Sequence, residues 1–286
     1  MTKKVAEESL GRTLITIAAH PALRNAGIRC LKSIFYHFFF LQYKAALLPG
    51  RIPITSVDHP LDARIPFSPR WVGIYLDFVA FWVRIIGFLL RTYRRAGMKP
   101  AIDFINSMGR LYAFAAQMYT KNLSTTNRPR YLAHPQFVLI HATDPHLMCI
   151  PSLHVLVVIR TYTAFRAIIR SFGDADRFAP QIEEVTQGAV AITQALLYVK
   201  QHSINCVAAG LYAMTCFEGT LFPREEAEDW VSRLFRHTQQ PTPQDSVLIR
   251  NYIMERYIGF LTEAEQASSW EEPLLGFLHS CPEVLS

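Results

Sequence analysis

Apolar residues fall along this chain in six runs, separated by basic or proline-containing breaks. The first, 33–48, carries Phe35, Phe38, Phe39 and Phe40 and ends at Pro49 and Gly50. It is short beside the ~20 residues that a helix needs to cross a hydrocarbon core. A loop rich in proline follows, with Pro53, Pro60, Pro66 and Pro69. The second run, 71–90, has spanning length and opens on an interfacial tryptophan, Trp71. Asp77 and Arg84 sit inside it on one helical face, where charges at such depth pair. The stretch 100–120 reads as a third helix, with Ala113, Ala115 and Ala116 for close packing. A fourth begins near Pro151 and ends before Gly173; 183–199 and 204–217 are the fifth and sixth. No strand-period segment or internal repeat stands out. The pattern predicts an all-α fold, a polytopic membrane bundle of about six helices.

The ends differ from the middle. Residues 1–32 form a basic segment, with Lys3, Lys4, Arg12, Arg24, Arg29 and Lys32 suited to a cytoplasmic face. This segment lacks the long apolar core and small-residue cleavage site of a signal peptide, so insertion falls to the first apolar run. From 222 onward the composition changes. Pro223 breaks the apolar pattern, and amphipathic charged segments follow at 225–237 and 244–261. The expected division is therefore a basic segment at 1–32, a membrane-embedded domain at 33–221 and a polar helical tail at 222–286. Arg91, Arg94, Arg95 and Lys99 make a basic turn that reads as cytoplasmic. The loop 121–150 and the turn near 200 then lie together on the opposite side, of an inner or plasma membrane.

Composition agrees with a membrane setting. Half of the 286 residues are hydrophobic and 18% are charged, against about 25% in a typical soluble domain. Mean hydropathy is only +0.13, which suits short imperfect spans with a polar appendage. The net charge of +6 suits an anionic surface or a phosphate-bearing ligand. No nucleic-acid-binding motif accompanies it. The five cysteines show no CxxC spacing, so neither a zinc site nor a disulfide framework is expected. His141 and His146 show no metal-ligand spacing either. No cofactor is expected.

Three polar clusters fall on the predicted outer side. They are the stretch from Lys121 to Arg128-Pro129, then Pro151-Ser152-Leu153-His154, then Lys200-Gln201-His202-Ser203-Ile204-Asn205-Cys206. Their chemistry fits phosphoryl transfer. Phosphate oxygens need cations, and Lys121 and Arg128 offer a point charge and a fork. A neutral imidazole serves as nucleophile, and a second protonates the leaving alkoxide near neutral pH. His202 and His154 are the two candidates.

Lys-x6-Arg-Pro, Pro-Ser-x-His and a downstream His, in that order, resemble the three-part signature of the type 2 phosphatidic acid phosphatase superfamily. Cys149-Ile-Pro-Ser-Leu-His-Val155 resembles its inositol phosphorylceramide synthase-like branch more closely, as does the segment 65–72. The resemblance covers about 55–217 and leaves the tail out. It implies that Lys121 and Arg128 bind phosphate and that Ser152 adds a hydroxyl donor. It also implies that His154 protonates the leaving group and that His202 becomes transiently phosphorylated, without a metal. The third motif departs from the family pattern. Ala195 and Leu196 replace Ser and Arg, and Cys206 replaces the Asp that orients the histidine. Lys200 and Asn205 are the candidates to compensate. Two functions follow as expectations: a membrane lipid phosphatase or headgroup transferase, or an inactive member that binds an anionic lipid or a partner protein. A soluble relative resembling the haloperoxidase-like acid phosphatases is a third, weaker idea.

Overall fold

The computed structural model describes residues 3–48 and 50–284. Pro49, expected to end the first apolar run, lies outside them, as does the end of the tail. The fold is all-helical. Helices α1 (Leu10–Ala19), α2 (Pro21–Ile34) and α3 (Leu41–Leu47) lead in, the last two joined through a π-helical turn at Phe35–Phe40. A short α4 (Val72–Leu76) precedes α5 (Phe78–Tyr93), α6 (Arg95–Tyr119) and α7 (Pro135–Thr143). Then come α8 (Leu153–Ser171), α9 (Ala179–Tyr198) and α10 (Ile204–Glu218). The last part holds α11 (Arg224–Arg233), α12 (Pro243–Ala264) and α13 (Glu272–Ser280).

The centre of the bundle is α8 against α10. Val155 to Ile159 and Cys206 to Ala209 are fully buried, and so are Leu211 to Met214. Helices α5, α6 and α9 pack on α8, and α12 packs on α10. A helix that is apolar on every side is a core helix or a lipid-facing one; here α8 and α10 are enclosed by protein. Each starts on a serine cap. Ser152 Oγ accepts from Val155 N at 3.4 Å, and Ser203 Oγ accepts from Asn205 N at 3.2 Å. The two helices come close at Gly210, where a Cβ would stand 2.8 Å from Val155 Cγ1.

Among the described residues, one helical stretch, Pro69–Tyr93, is long and apolar enough to cross a membrane. Asp77 and Arg84 pair within it as expected, through two hydrogen bonds of 2.6 and 2.9 Å. Helix α6 matches the expected third helix but presents Asp103, Arg110 and Gln117 outward, a polar stripe at seven-residue spacing. The segment from 222 on is helical too, yet it docks on the body rather than hanging free. Trp230, Tyr257 and Phe260 are buried. Trp270 stacks on Phe114 at 4.0 Å, and its indole donates to Gln117 Oε1 at 2.9 Å.

Two three-residue strands, β1 (Ile54–Ser56) and β2 (Leu123–Thr125), pair in parallel. They are too short to leave an alternating pattern in the sequence. Their effect is local and large: they fasten the proline-rich loop to the segment after α6. From the other end of the chain, Ser56 N donates to Pro282 O at 2.9 Å, and Val284 N to Ile54 O at 2.8 Å. From the site side, Cys149 N and Ile150 N both donate to Ser124, at 3.2 and 2.7 Å. Tyr119 at the end of α6 donates its hydroxyl to Pro151 O. These bonds fix where α8 begins.

Candidate functional site

His154 projects from the first turn of α8, and His202 from the turn between α9 and α10. Their ring centroids are 5.4 Å apart. His154 lies between two aromatic rings, 4.9 Å from Tyr75 and 4.3 Å from Phe78. His202 is 8% exposed. Its Nε2 is 3.5 Å from Ser152 Oγ, at the long limit of a hydrogen bond, and its buried Nδ1 has no hydrogen-bond partner. Arg128 reaches the same region. It donates to Gln201 Oε1, beside His202, at 3.1 Å and to Asp144 O at 2.7 Å. The fold thus gathers Arg128, Ser152, His154 and His202 from three separate segments.

Three other expected residues are engaged elsewhere. Lys121 Nζ bonds Glu271 Oε1 at 3.0 Å, so its charge anchors the tail instead of facing the histidines. Lys200 donates to the carbonyls of Asp62 and Ile65. It clamps the turn Pro60–Arg64, and it does not replace the phosphate ligand absent at Leu196. Asn205 donates to Val57 O at 3.1 Å and accepts from the Tyr252 hydroxyl at 2.6 Å. Its amide is spent on the scaffold, not on the His202 ring. Ala195, Leu196 and Cys206 are fully buried.

Sequence reading missed Asp144, His146 and Cys149. Asp144 accepts from Gln42 Nε2 at 3.1 Å and from His146 N at 2.9 Å, and its carboxylate is 3.5 Å from Arg128. Burial alone would raise its pKa, but His146 and Arg128 outweigh that and hold it at about 2. His146 lies with Nδ1 3.8 Å from Asp144 and with Nε2 2.8 Å from Thr126 Oγ1 and 3.7 Å from Cys149 Sγ. Burial works against its charge, yet Cys149 and Asp144 carry its pKa up to about 9. Asp144 is therefore anionic and His146 cationic at neutral pH. The one signal that could have found this group is the spacing Asp144-Pro-His146-x-x-Cys149, directly ahead of Pro151-Ser152.

These side chains border a cavity of about 50 Å³. Asp144, His146, Cys149, His154 and His202 form its polar side; Phe38, Phe78, Tyr112 and Leu153 form its apolar side. The space is large enough for a few waters. Two imidazoles across a small cavity, with a guanidinium behind one wall, can exchange protons and hold an anion. Comparison with known proteins returns no matching family model, no matching curated protein and no matching solved structure.

Proposed function

We propose that this protein hydrolyses or transfers a phosphate-bearing headgroup of a lipid through a phosphohistidine at His202. The observation that carries the reading is the meeting of His154 and His202 at one cavity, with Ser152 Oγ against His202. His202 attacks phosphorus and the ester P–O bond breaks. Burial, with His202 beside it, pushes the His154 pKa down to about 3, so the resting ring is neutral. It takes the proton of the water or lipid alcohol that attacks the phosphohistidine, and the departing alkoxide draws its proton from solvent or from a His154 protonated as substrate binds. Arg128 meets the charge on the phosphoryl oxygens. An incoming phosphate has to draw Arg128 away from Asp144, which stands 3.5 Å from it. That competition, together with the buried Leu196 and Cys206, makes a slow enzyme the expected form.

The membrane part of the reading rests on the leading helices. Leu31, Phe35, Tyr36, Phe39, Phe40 and Leu47 are exposed on α2, α3 and the turn between them. Lys32 and Lys44 are exposed among them. An apolar face carrying lysines suits the boundary between headgroups and acyl chains. Phe38, from the same turn, lines the cavity, so a lipid held on this face has a short path to His202. Six separate spans are less well supported. Helix α6 turns a polar stripe outward, and α12 covers α10.

The test is phosphate release from a panel of lipid phosphates by the full chain, with His202→Ala and His154→Ala beside it. We expect release that His202→Ala abolishes, and an acid-labile phosphoenzyme that builds up in His154→Ala. Binding of phosphorylated lipid with no His202-dependent turnover on any of them would leave the anionic-lipid binding protein in its place. The engagement of Arg128 with Asp144 and of Lys121 with Glu271 is the observation in favour of that second reading.

A further inference from the structure

The cavity wall holds a second constellation that the phosphoryl-transfer reading does not use. Cys149, His202 and Cys206 each offer a donor atom, and these atoms all lie within 4.8 Å of one another. All three residues are buried, with Cys206 fully so. We propose that Cys149, Cys206 and His202 form a binding site for a thiophilic metal ion, Zn²⁺ in the first instance.

The donor set points to that class of ion. Two thiolates and an imidazole select Zn²⁺ over Mg²⁺ or Ca²⁺, which take oxygen ligands. Zinc binds sulfur at about 2.3 Å and nitrogen at about 2.0 Å, so tetrahedral donors stand roughly 3.5–4 Å apart. Donors already within 4.8 Å need shifts of less than about 1 Å to reach that arrangement. The His202 ring has an independent vacancy in its bonding, because its buried Nδ1 has no hydrogen-bond partner. A buried ring nitrogen without a partner is costly, and a ligand removes the cost. Cys149 and His202 also line the cavity, so the fourth coordination position can face it. His146 stands beside that position, with Asp144 behind its Nδ1 and its Nε2 3.7 Å from Cys149 Sγ.

In the bound form both sulfurs are thiolates, any thiol proton passing to solvent, and each sulfur lends a lone pair to the ion; no redox step is involved. The lone pair that His202 gives the metal is no longer free to attack phosphorus. Metal occupancy and phosphohistidine formation are therefore mutually exclusive at that nitrogen. The site stands independently of the phosphatase reading.

The experiment uses the full chain, reduced and stripped of metal with a chelator. Zn²⁺ uptake is measured against a chromophoric chelator, and Co²⁺ is added as the spectroscopic probe. We expect one Zn²⁺ per chain and a thiolate-to-cobalt charge-transfer band. Cys206→Ser should weaken uptake by more than the ~10–100-fold that follows loss of a merely supporting residue. A triple variant, Cys30→Ala with Cys216→Ser and Cys281→Ser, leaves only Cys149 and Cys206. It should keep the band, and it decides the matter even where Cys206→Ser fails to fold. Absence of a thiolate band from the wild-type protein, or its loss in the triple variant, would overturn the site. Neither readout depends on phosphate release.

Discussion

Arg128 and Arg130 separate recognition from general basicity. Arg128 is tied to Gln201 and Asp144 beside the histidines, whereas Arg130 is exposed. A charge-assisted hydrogen bond contributes roughly 1.5–3 kcal/mol, or about 10-fold or more in affinity. Arg128→Ala should therefore weaken binding of a phosphate analogue about 10-fold or more, and Arg130→Ala should leave it within about 2-fold. Calorimetric titration of the two variants checks this. Equal losses would reduce the first motif to surface charge. At this scale the sequence was readable where a residue acts through its neighbours in the chain. Ser152 and His154 share one helix start, and the spacing alone put them together. Lys121 was not readable in this way, because the partner that takes its charge, Glu271, comes from the far end of the chain.

Some helices follow the expected runs: 100–120 became Arg95–Tyr119, and 204–217 became Ile204–Glu218. By contrast, 33–48 is divided among the end of α2, the turn Phe35–Phe40 and α3, and 71–90 is broken between α4 and α5. Their surroundings were not legible. Helix α10 is apolar all round because α8 and α12 enclose it, and the same composition would serve a helix in lipid. The contact at Gly210 holds α8 and α10 at the separation that sets His154 against His202. Gly210→Ala puts a methyl group 2.8 Å from Val155, so a backbone has to shift. Overpacking of this kind costs about 1–3 kcal/mol. Denaturant unfolding should show that loss. His202-dependent turnover should fall further than the stability change explains, since the two rings move apart.

The docked tail brings a pH dependence of its own. Burial of Glu271 would raise its pKa, but the Lys121 ammonium outweighs it and holds the carboxyl below its ordinary value. A depressed carboxyl pKa adds stability above the unfolded-state value of about 4.3 and loses it as pH falls through the folded value. Lys121 is nearly half exposed, so the contribution is about 0.5–1 kcal/mol. Glu271→Gln should flatten the stability profile below about pH 4.5 and leave the slope near neutrality unchanged. Melting curves across that range test it.

For the whole molecule, the proposed lipid substrate calls for a surface that can meet lipid. Charge and apolar surface coincide on the leading helices, where Phe35 and Phe39 are exposed between Lys32 and Lys44. Phe35→Glu with Phe39→Glu should release most of the protein from vesicles of anionic lipid, as read by flotation, with helix content unchanged. Phe39 sits next to the cavity-lining Phe38, so release of inorganic phosphate from a soluble short-chain ester should be measured in the same variant. Retained activity on the soluble ester with loss of activity on vesicles would separate docking from chemistry. Unchanged flotation would move the membrane contact to Pro69–Tyr93.

The strap formed by residues 282–284, β1 and β2 gives the molecule a temporal order. Backbone bonds run from Pro282 and Val284 to β1, from β1 to β2, and from Ser124 to Cys149 and Ile150. The wall that carries Cys149 is thus braced by residues 282–284, which are synthesised after both histidines. While synthesis is under way, both histidines already exist in the nascent chain, but the cavity between them lacks its outer buttress. Maturation of the site therefore has to wait for residues 282–284 to follow the histidines out.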